Sequence, residues 1–250
     1  MDIALTDVQC GIGGLGPGNR AQVSPEDCLA AMRRVHIAQA LVRRLPETEG
    51  ADMAADNEAL YRACAGHPEL VPCPFVIPAS GLDLPPEREQ VAEAIRRGAA
   101  AVWIRPGNDS WILDEWVAGP LFCALEERRM PVLCLQRLVE LDRVADLARR
   151  YPRLPLIVAE THYRTQRILL PLLRACANVH VSIGNNFSVH RGLEQIVKEL
   201  GPRQLLFGTG YPESEPMAAI TYLMYAAVPD EVKRQIGQEN MAALRREIVR

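Results

Sequence analysis

Short apolar runs punctuate the chain, and polar stretches with helical patterning separate them. The runs are Ile3–Cys10, Gln39–Val42 with the arginines that follow it, Val71–Pro78, Ala101–Arg105, Pro131–Leu135, Leu154–Ala159, Val179–Ile183 and Leu205–Gly208. Most are nearly continuous in Val, Ile, Leu, Ala and Phe rather than alternating. A strand buried on both faces of a parallel sheet reads this way. Helix signals recur between them. Ser24-Pro25-Glu26-Asp27 sets an N-cap serine before a proline at the first helical position. Asn57 opens a second helix ahead of His67-Pro68, and Pro86 to Arg97 forms a third that Gly98 ends. Further helices are expected over Trp111–Arg129, Leu138–Arg150, Thr165–Ala177, His190–Leu200, Met217–Ala227 and Gln238–Val249.

Eight strands alternating with about as many helices over 250 residues fit a (β/α)8 barrel. A doubly wound open sheet is compatible with the same alternation. No linker, repeat or low-complexity tract divides the chain, so residues 1–250 are expected to form one domain.

Composition narrows the function classes. A net charge of -3 gives no basic face for nucleic acid. No apolar run approaches the roughly 20 residues that span a bilayer. The N-terminus lacks the basic region of a secretory signal. The cysteines number seven and are scattered without a Cys-x-x-Cys pair, which suits buried thiols in a reducing cytoplasm better than a disulfide framework. Aromatic and apolar residues at Trp111, Trp116, Leu121, Phe122 and Met224–Val228 suggest a homo-oligomer, although each could instead pack against the barrel.

The segment Leu205-Leu-Phe-Gly-Thr-Gly-Tyr-Pro212 closely resembles a strand-and-turn of the amidohydrolase-related metal-dependent hydrolases, where the pattern is Leu-Leu-Phe-Gly-Ser-Asp-Tyr-Pro. Other pieces follow in that family's order. They are His67-Pro68 with Val71–Pro78, Glu93 to Pro106, Pro131–Leu135, Tyr151-Pro152 to Glu160, Asn178–Ser182 and Asn240–Leu244. The resemblance implies a (β/α)8 barrel with its site at the C-terminal ends of the strands. It also implies a divalent metal held by an Asp-x-His-x-His motif on the first strand, histidines ending the fifth and sixth strands, and an aspartate ending the eighth. In this chain Gln9 and Gly11 stand at the first two histidine positions of Asp7-Val-Gln9-Cys10-Gly11. Leu135 or Gln136, Glu160 and Gly210 stand at the others. Metal sites of the zinc type need three or four Asp, Glu, His or Cys ligands, and only Glu160 here ligates well.

Among candidates at the strand ends, Glu160 follows an apolar run, where partial desolvation suits a general acid or base; a salt bridge to Arg105 is the structural alternative. Arg105 offers a bidentate hold on a substrate carboxylate, or a pair with Glu160 or Asp109. His162 and His190 are the histidines best placed for proton transfer. His190 and Glu194 stand four apart, so that a helix would set them on one face. Gln9, Cys10, Arg43, Gln136, Asn185 and Tyr211 complete the mouth, with Cys10 either a thiol nucleophile or a small buried side chain. Gly11-Ile-Gly13-Gly-Leu-Gly16 formally matches a dinucleotide-binding motif. The helix starts only near Ser24 and Pro17-Gly18 intervenes, so the segment reads as a mobile rim loop.

The expected function is hydrolysis or a lyase step on a small carboxylated substrate without the usual catalytic metal. Glu160 with His190 or His162 would act as acid and base, and Arg105 would position the substrate. Two alternatives remain at this point. One is a barrel that binds a metabolite or partner protein without catalysis; the other is a divalent metal relocated to Glu160, His162 and His190.

Overall fold

The computed structural model describes residues 3–14, 22–45, 52–184, 186–187 and 189–250. Asn185, and residues 15–18 of the glycine-rich segment, lie outside them. Among the described residues the parallel strands are β1 (Leu5–Gly14), β3 (Ile37–Leu45), β4 (Leu70–Pro72), β5 (Val102–Ile104), β6 (Val132–Leu135), β7 (Leu156–Ala159), β8 (Val179–Ile183) and β9 (Leu205–Phe207), while β2 (Gln22–Val23) runs antiparallel to the end of β1. They pair in two arcs, β1–β3–β4 and β5 through β9. Single bridges between Phe75 and Trp103 and between Cys10 and Tyr211 join the arcs into a ring. The helices between them are α1 (Pro25–Arg34), α2 (Met53–Cys64), α3 (Glu87–Arg96), α4 (Glu115–Glu127), α5 (Leu141–Arg150), α6 (Gln166–Ala175), α7 (Gly192–Leu200), α8 (Pro216–Met224), α9 (Asp230–Arg234) and α10 (Asn240–Glu247). This is a (β/α)8 barrel. None of these helices is long and apolar enough to cross a membrane.

The strand runs are continuous because both faces are covered. Val8, Leu41, Val71, Phe75, Trp103, Leu133, Leu135, Ile157, Ala159 and Leu206 form one buried cluster with Met241 and Leu244 of α10. The alternate positions, such as Ala40, Val42, Ile104, Val132, Cys134, Val158 and Val181, belong to a second cluster shared with the helices. α10 lies at the end where the strands begin, because Asn240 donates through Nδ2 to the carbonyls of Pro202 and Leu205 at 2.7 and 2.8 Å. Helix limits follow local chemistry. Ser24 and Asp27 form a reciprocal capping box on α1. Trp111 is buried in the loop before α4, which starts later than its apolar pattern suggests, after Asp114. Gly11 to Gly14 continue β1 beside β3 and β2 where a rim loop is expected, since the run keeps partners on both sides.

β1 carries an irregularity that decides what it presents. Asp7 pairs with Ala40 and Cys10 with Val42, so one extra residue is inserted on β1. Such a bulge reverses the facing of the residues beyond it. The ring closes at this place. The Asp7 carboxylate, 1% exposed, accepts from the backbone of Gln9 at 2.8 Å and of Thr209 at 3.0 Å, and also from the Thr209 hydroxyl. Thr209 Oγ1 in turn accepts from Tyr211 N at 3.0 Å. Backbone bonds from Gly11 N to the Tyr211 carbonyl, 2.8 Å, and from Gly210 N to the Gln9 carbonyl, 2.9 Å, complete the seam. Burial raises the Asp7 carboxyl above its ordinary value, opposed by the bonds from Thr209 and Gln9 and by the nearby Arg43.

Two expectations follow. Asp7→Ala strands three buried donors, so it should lower the unfolding free energy by about 3 kcal/mol or more in urea titration, and Thr209→Val by about 1–2 kcal/mol. His180 on β8 has an Nδ1 with no hydrogen-bond partner among the described residues. Burial pushes its pKa down to about 4 from an ordinary value near 6.5. Above the ordinary value the ring is neutral whether the chain is folded or not. As pH falls through this window the unfolded chain takes up a proton that the folded chain resists, so stability is lost, by about 3 kcal/mol in all. His180→Leu should therefore lose less stability than the parent between pH 7 and pH 4.5 in urea midpoints; equal losses would refute this account.

Candidate functional site

The strands deliver a compact set of polar side chains to their C-terminal ends. The bulge in β1 turns Gln9 inward, where it is buried, and its Nε2 donates to Glu160 Oε1 at 3.3 Å. Glu160 follows the last residue of β7 and adopts a left-handed backbone, φ 58°. This conformation costs a residue with a β-carbon on the order of 1 kcal/mol, and strain of this kind tends to gather at working sites. Its Oε2 accepts from Arg137 Nε at 2.9 Å. Arg137 also approaches Glu213 Oε1 at 3.8 Å, and Glu213 Oε2 accepts from Arg43 Nη2 at 2.7 Å. Arg43, two residues beyond the inward-facing Leu41 on β3, is 3% exposed, with its guanidinium 5.0 Å from the Trp103 ring centroid. An unbroken polar chain thus crosses the mouth from Gln9 through Glu160, Arg137 and Glu213 to Arg43.

Among the described residues a small cavity lies beside this chain. Gln9, Glu160, Thr161, Thr209, Glu213 and Ser214 line a cavity of about 30 Å³. That volume holds a water molecule or two. Arg105, also buried, donates from Nε to Asp109 at 2.9 Å, and its guanidinium stacks 4.1 Å from the Phe75 ring centroid. Of the two roles expected for it, this contact is the ion pair, and Asp109 rather than Glu160 is its partner. Burial raises the Asp109 carboxyl above its ordinary value, while Arg105 opposes that shift.

Other expected residues fall elsewhere, for physical reasons. Beyond the bulge Cys10 turns outward, and its Sγ lies 3.4 Å from Cys28 Sγ under α1. The contact with Cys28, together with burial, pushes its thiol well above the ordinary value, the reverse of an activated nucleophile. The Tyr211 ring packs on the same outer cluster, although its backbone helps close the seam. His162 accepts at Nδ1 from Arg164 N, 3.2 Å, capping its own turn, and its ring lies 4.3 Å from that of Tyr163. Gln136 braces that turn by accepting from His162 N at 2.9 Å. His190 is exposed and precedes α7, so the helical pairing with Glu194 does not form. Glu194 instead accepts from Ala227 N at 2.8 Å. Asn185 lies outside the described residues. The sequence reading missed Arg137 and Glu213, which sit in turns beyond the strands. An arginine beside Gln136 and a glutamate just after Tyr211-Pro212 were the available signals.

The donor set bears on a metal. Among the described residues no three of His, Cys, Asp and Glu gather as a metal would need. The carboxylates at the mouth, Glu160 and Glu213, are each matched by a guanidinium. Two carboxylates neutralised by arginines do not fit a divalent cation that requires three or four ligands. The relocated set of Glu160, His162 and His190 is likewise not assembled.

The model of a protein family described as Amidohydrolase matches residues 10–244, and the chain belongs to this family. No curated protein matches it. Solved structures share the barrel at low identity. A 5-carboxyvanillate decarboxylase from Novosphingobium aromaticivorans, complexed with manganese, superposes with a TM-score of 0.78 at 12% identity, covering 98% of this chain and 96% of that one. A protein described as a 2-pyrone-4,6-dicarboxylic acid hydrolase from Pseudomonas putida gives 0.74 at 14% identity, covering all of both chains. An uncharacterized barrel protein from Bordetella bronchiseptica gives 0.74 at 13%, covering 98% and 99%.

Proposed function

We propose that this amidohydrolase-family barrel is a hydrolase or lyase that acts on a small carboxylated molecule at the mouth built by Gln9, Arg43, Arg137 and Glu160, without a resident metal. The observation that carries this reading is Glu160 itself. It is a carboxylate in strained backbone, 15% exposed at its side chain, held between an amide and a guanidinium at the C-terminal end of β7. Barrel enzymes place catalytic groups there. The names of the structural neighbours support the substrate class, because 5-carboxyvanillate and 2-pyrone-4,6-dicarboxylate are both carboxylated rings.

The chemistry follows from the groups present. Arg43 and Arg137 hold a carboxylate of the substrate, each through a planar guanidinium whose fork matches it. In hydrolysis of an ester or lactone, a water oxygen adds to the carbonyl carbon while Glu160 takes the water proton. The carbonyl oxygen gains the electron pair, and Gln9 Nε2 is placed to donate to it. When the intermediate collapses, the ring oxygen leaves with its electron pair and receives the proton from Glu160. An unactivated amide, lacking a comparable leaving group, lies outside this reading.

A non-catalytic binder of a small anion is the second reading, favoured by the arginine match of both mouth carboxylates, Glu160 and Glu213. Self-association is also proposed, supported by Trp116 and Tyr225, which are 80% and 86% exposed.

Two measurements test the catalytic reading. With 2-pyrone-4,6-dicarboxylate and 5-carboxyvanillate as first substrates, Glu160→Gln should lower kcat by roughly 100-fold or more while the urea midpoint changes little. An unchanged rate removes Glu160 from the chemistry. Elemental analysis of protein purified without a histidine tag should find no stoichiometric zinc or manganese in active protein. A full equivalent of either would overturn the metal-free part.

A further inference from the structure

We propose that Glu213 is an internal stand-in for the substrate's carboxylate, holding Arg43 and Arg137 until an incoming carboxylate takes that side chain's place. This rests on the carboxylated-substrate reading above and adds how its cations are held before the substrate arrives.

The asymmetry of the Arg43–Glu213 pair carries the inference. The arginine side chain is 4% exposed and the glutamate 41% exposed, at a separation of 2.7 Å. A pair serving only the core would bury both partners. Here the cation is locked between the Trp103 ring and the barrel wall, whereas the anion reaches it from the rim, between Pro212 and Ser214. The Glu213 carboxylate already meets water and is solvated if it leaves. Arg43 cannot follow it, and a buried guanidinium without a counter-charge costs several kcal/mol. Among the described residues Asp7 is also near Arg43, and it already accepts three hydrogen bonds in the seam. Displacing Glu213 therefore demands another anion in the same place, and a carboxylate fits the fork of a guanidinium best.

Two further observations agree. Arg43 Nε is buried and has no hydrogen-bond partner among the described residues, so the fork is only half used by Glu213, through Nη2. A free carboxylate able to turn face-on would engage both nitrogens. Glu213 also lines a cavity of about 30 Å³ together with Gln9 and Glu160. It can swing outward without disturbing the seam, since Ser214 N is bonded to the Gly210 carbonyl at 2.9 Å.

The test uses the full chain with benzoate and isophthalate as probes, titrated calorimetrically at fixed ionic strength. Glu213→Gln keeps the shape and removes the competing charge; Glu213→Ala is the second variant, and Glu215→Gln, on the surface beside Arg34, is the control. If Glu213 occupies the site most of the time, both Glu213 variants should bind isophthalate about 10- to 100-fold more tightly than the parent. The control should match the parent, and Arg43→Gln added to Glu213→Gln should abolish the gain. If the Glu213 variants bind no more tightly while Arg43→Gln alone abolishes the parent's binding, the stand-in is refuted but the carboxylate site remains. If neither probe binds parent or variants, the stand-in and the carboxylated-substrate reading fall together.

Discussion

The buried carboxylate of Asp7 is the constraint on which the rest of the structure depends. A barrel must join its last strand to its first, and here β9 and β1 meet through few backbone bonds. Asp7 supplies what the ladder lacks by accepting from Thr209 twice and from Gln9 once. These bonds hold the bulge in β1, and the bulge decides which side chains of that strand face the mouth. Without the extra residue, Cys10 would point inward and Gln9 toward the helices. One carboxylate thus sets both the closure of the ring and the partner that Glu160 receives.

Charge then organises the mouth. Arg43 and Arg105 are buried cations, and each is matched to a carboxylate within hydrogen-bonding distance, Glu213 and Asp109. The two pairs differ in kind. Arg105 and Asp109 are both buried, at 4% and 8% side-chain exposure, and belong to the wall. Arg43 is paired across the boundary with solvent. A low-dielectric wall strengthens each attraction but penalises any charge left alone. The wall pair is therefore fixed, and the boundary pair is the one whose anion can be exchanged.

Much of the fold was legible in the chain because strands buried on both faces have to be apolar throughout, as Leu156–Ala159 and Val132–Leu135 are. Ser24 and Gly98 marked helix limits through local chemistry that tertiary packing does not override. The site was legible in part. Gln9, Glu160 and Arg43 lie at strand ends, where barrel topology alone directs attention. Cys10 was misplaced because a one-residue bulge is invisible in an apolar run, yet it reverses every facing beyond it on that strand. His190 failed for a simpler reason: the helix begins at Gly192, so the four-residue spacing to Glu194 has no helix to act through. Arg137 and Glu213 come from turns, and only the folded ring brings them together.

The same geometry bears on how a member of this family can work with Gln9 and Gly210 at the mouth. A metal ion does two things for such a reaction: it holds negative charge and it acidifies bound water. Guanidinium groups perform only the first. Arg43 is fixed in place by its burial, so it can orient a carboxylate without reorganising, but a guanidinium is no proton carrier. In the proposed reading proton transfer rests with a separate group, and Glu160 is the carboxylate whose position and backbone strain suit it. Arg137 bonds to that carboxylate and also reaches toward Glu213. In the proposed reading, that one arginine therefore contacts both the substrate's carboxylate and the group that transfers the proton.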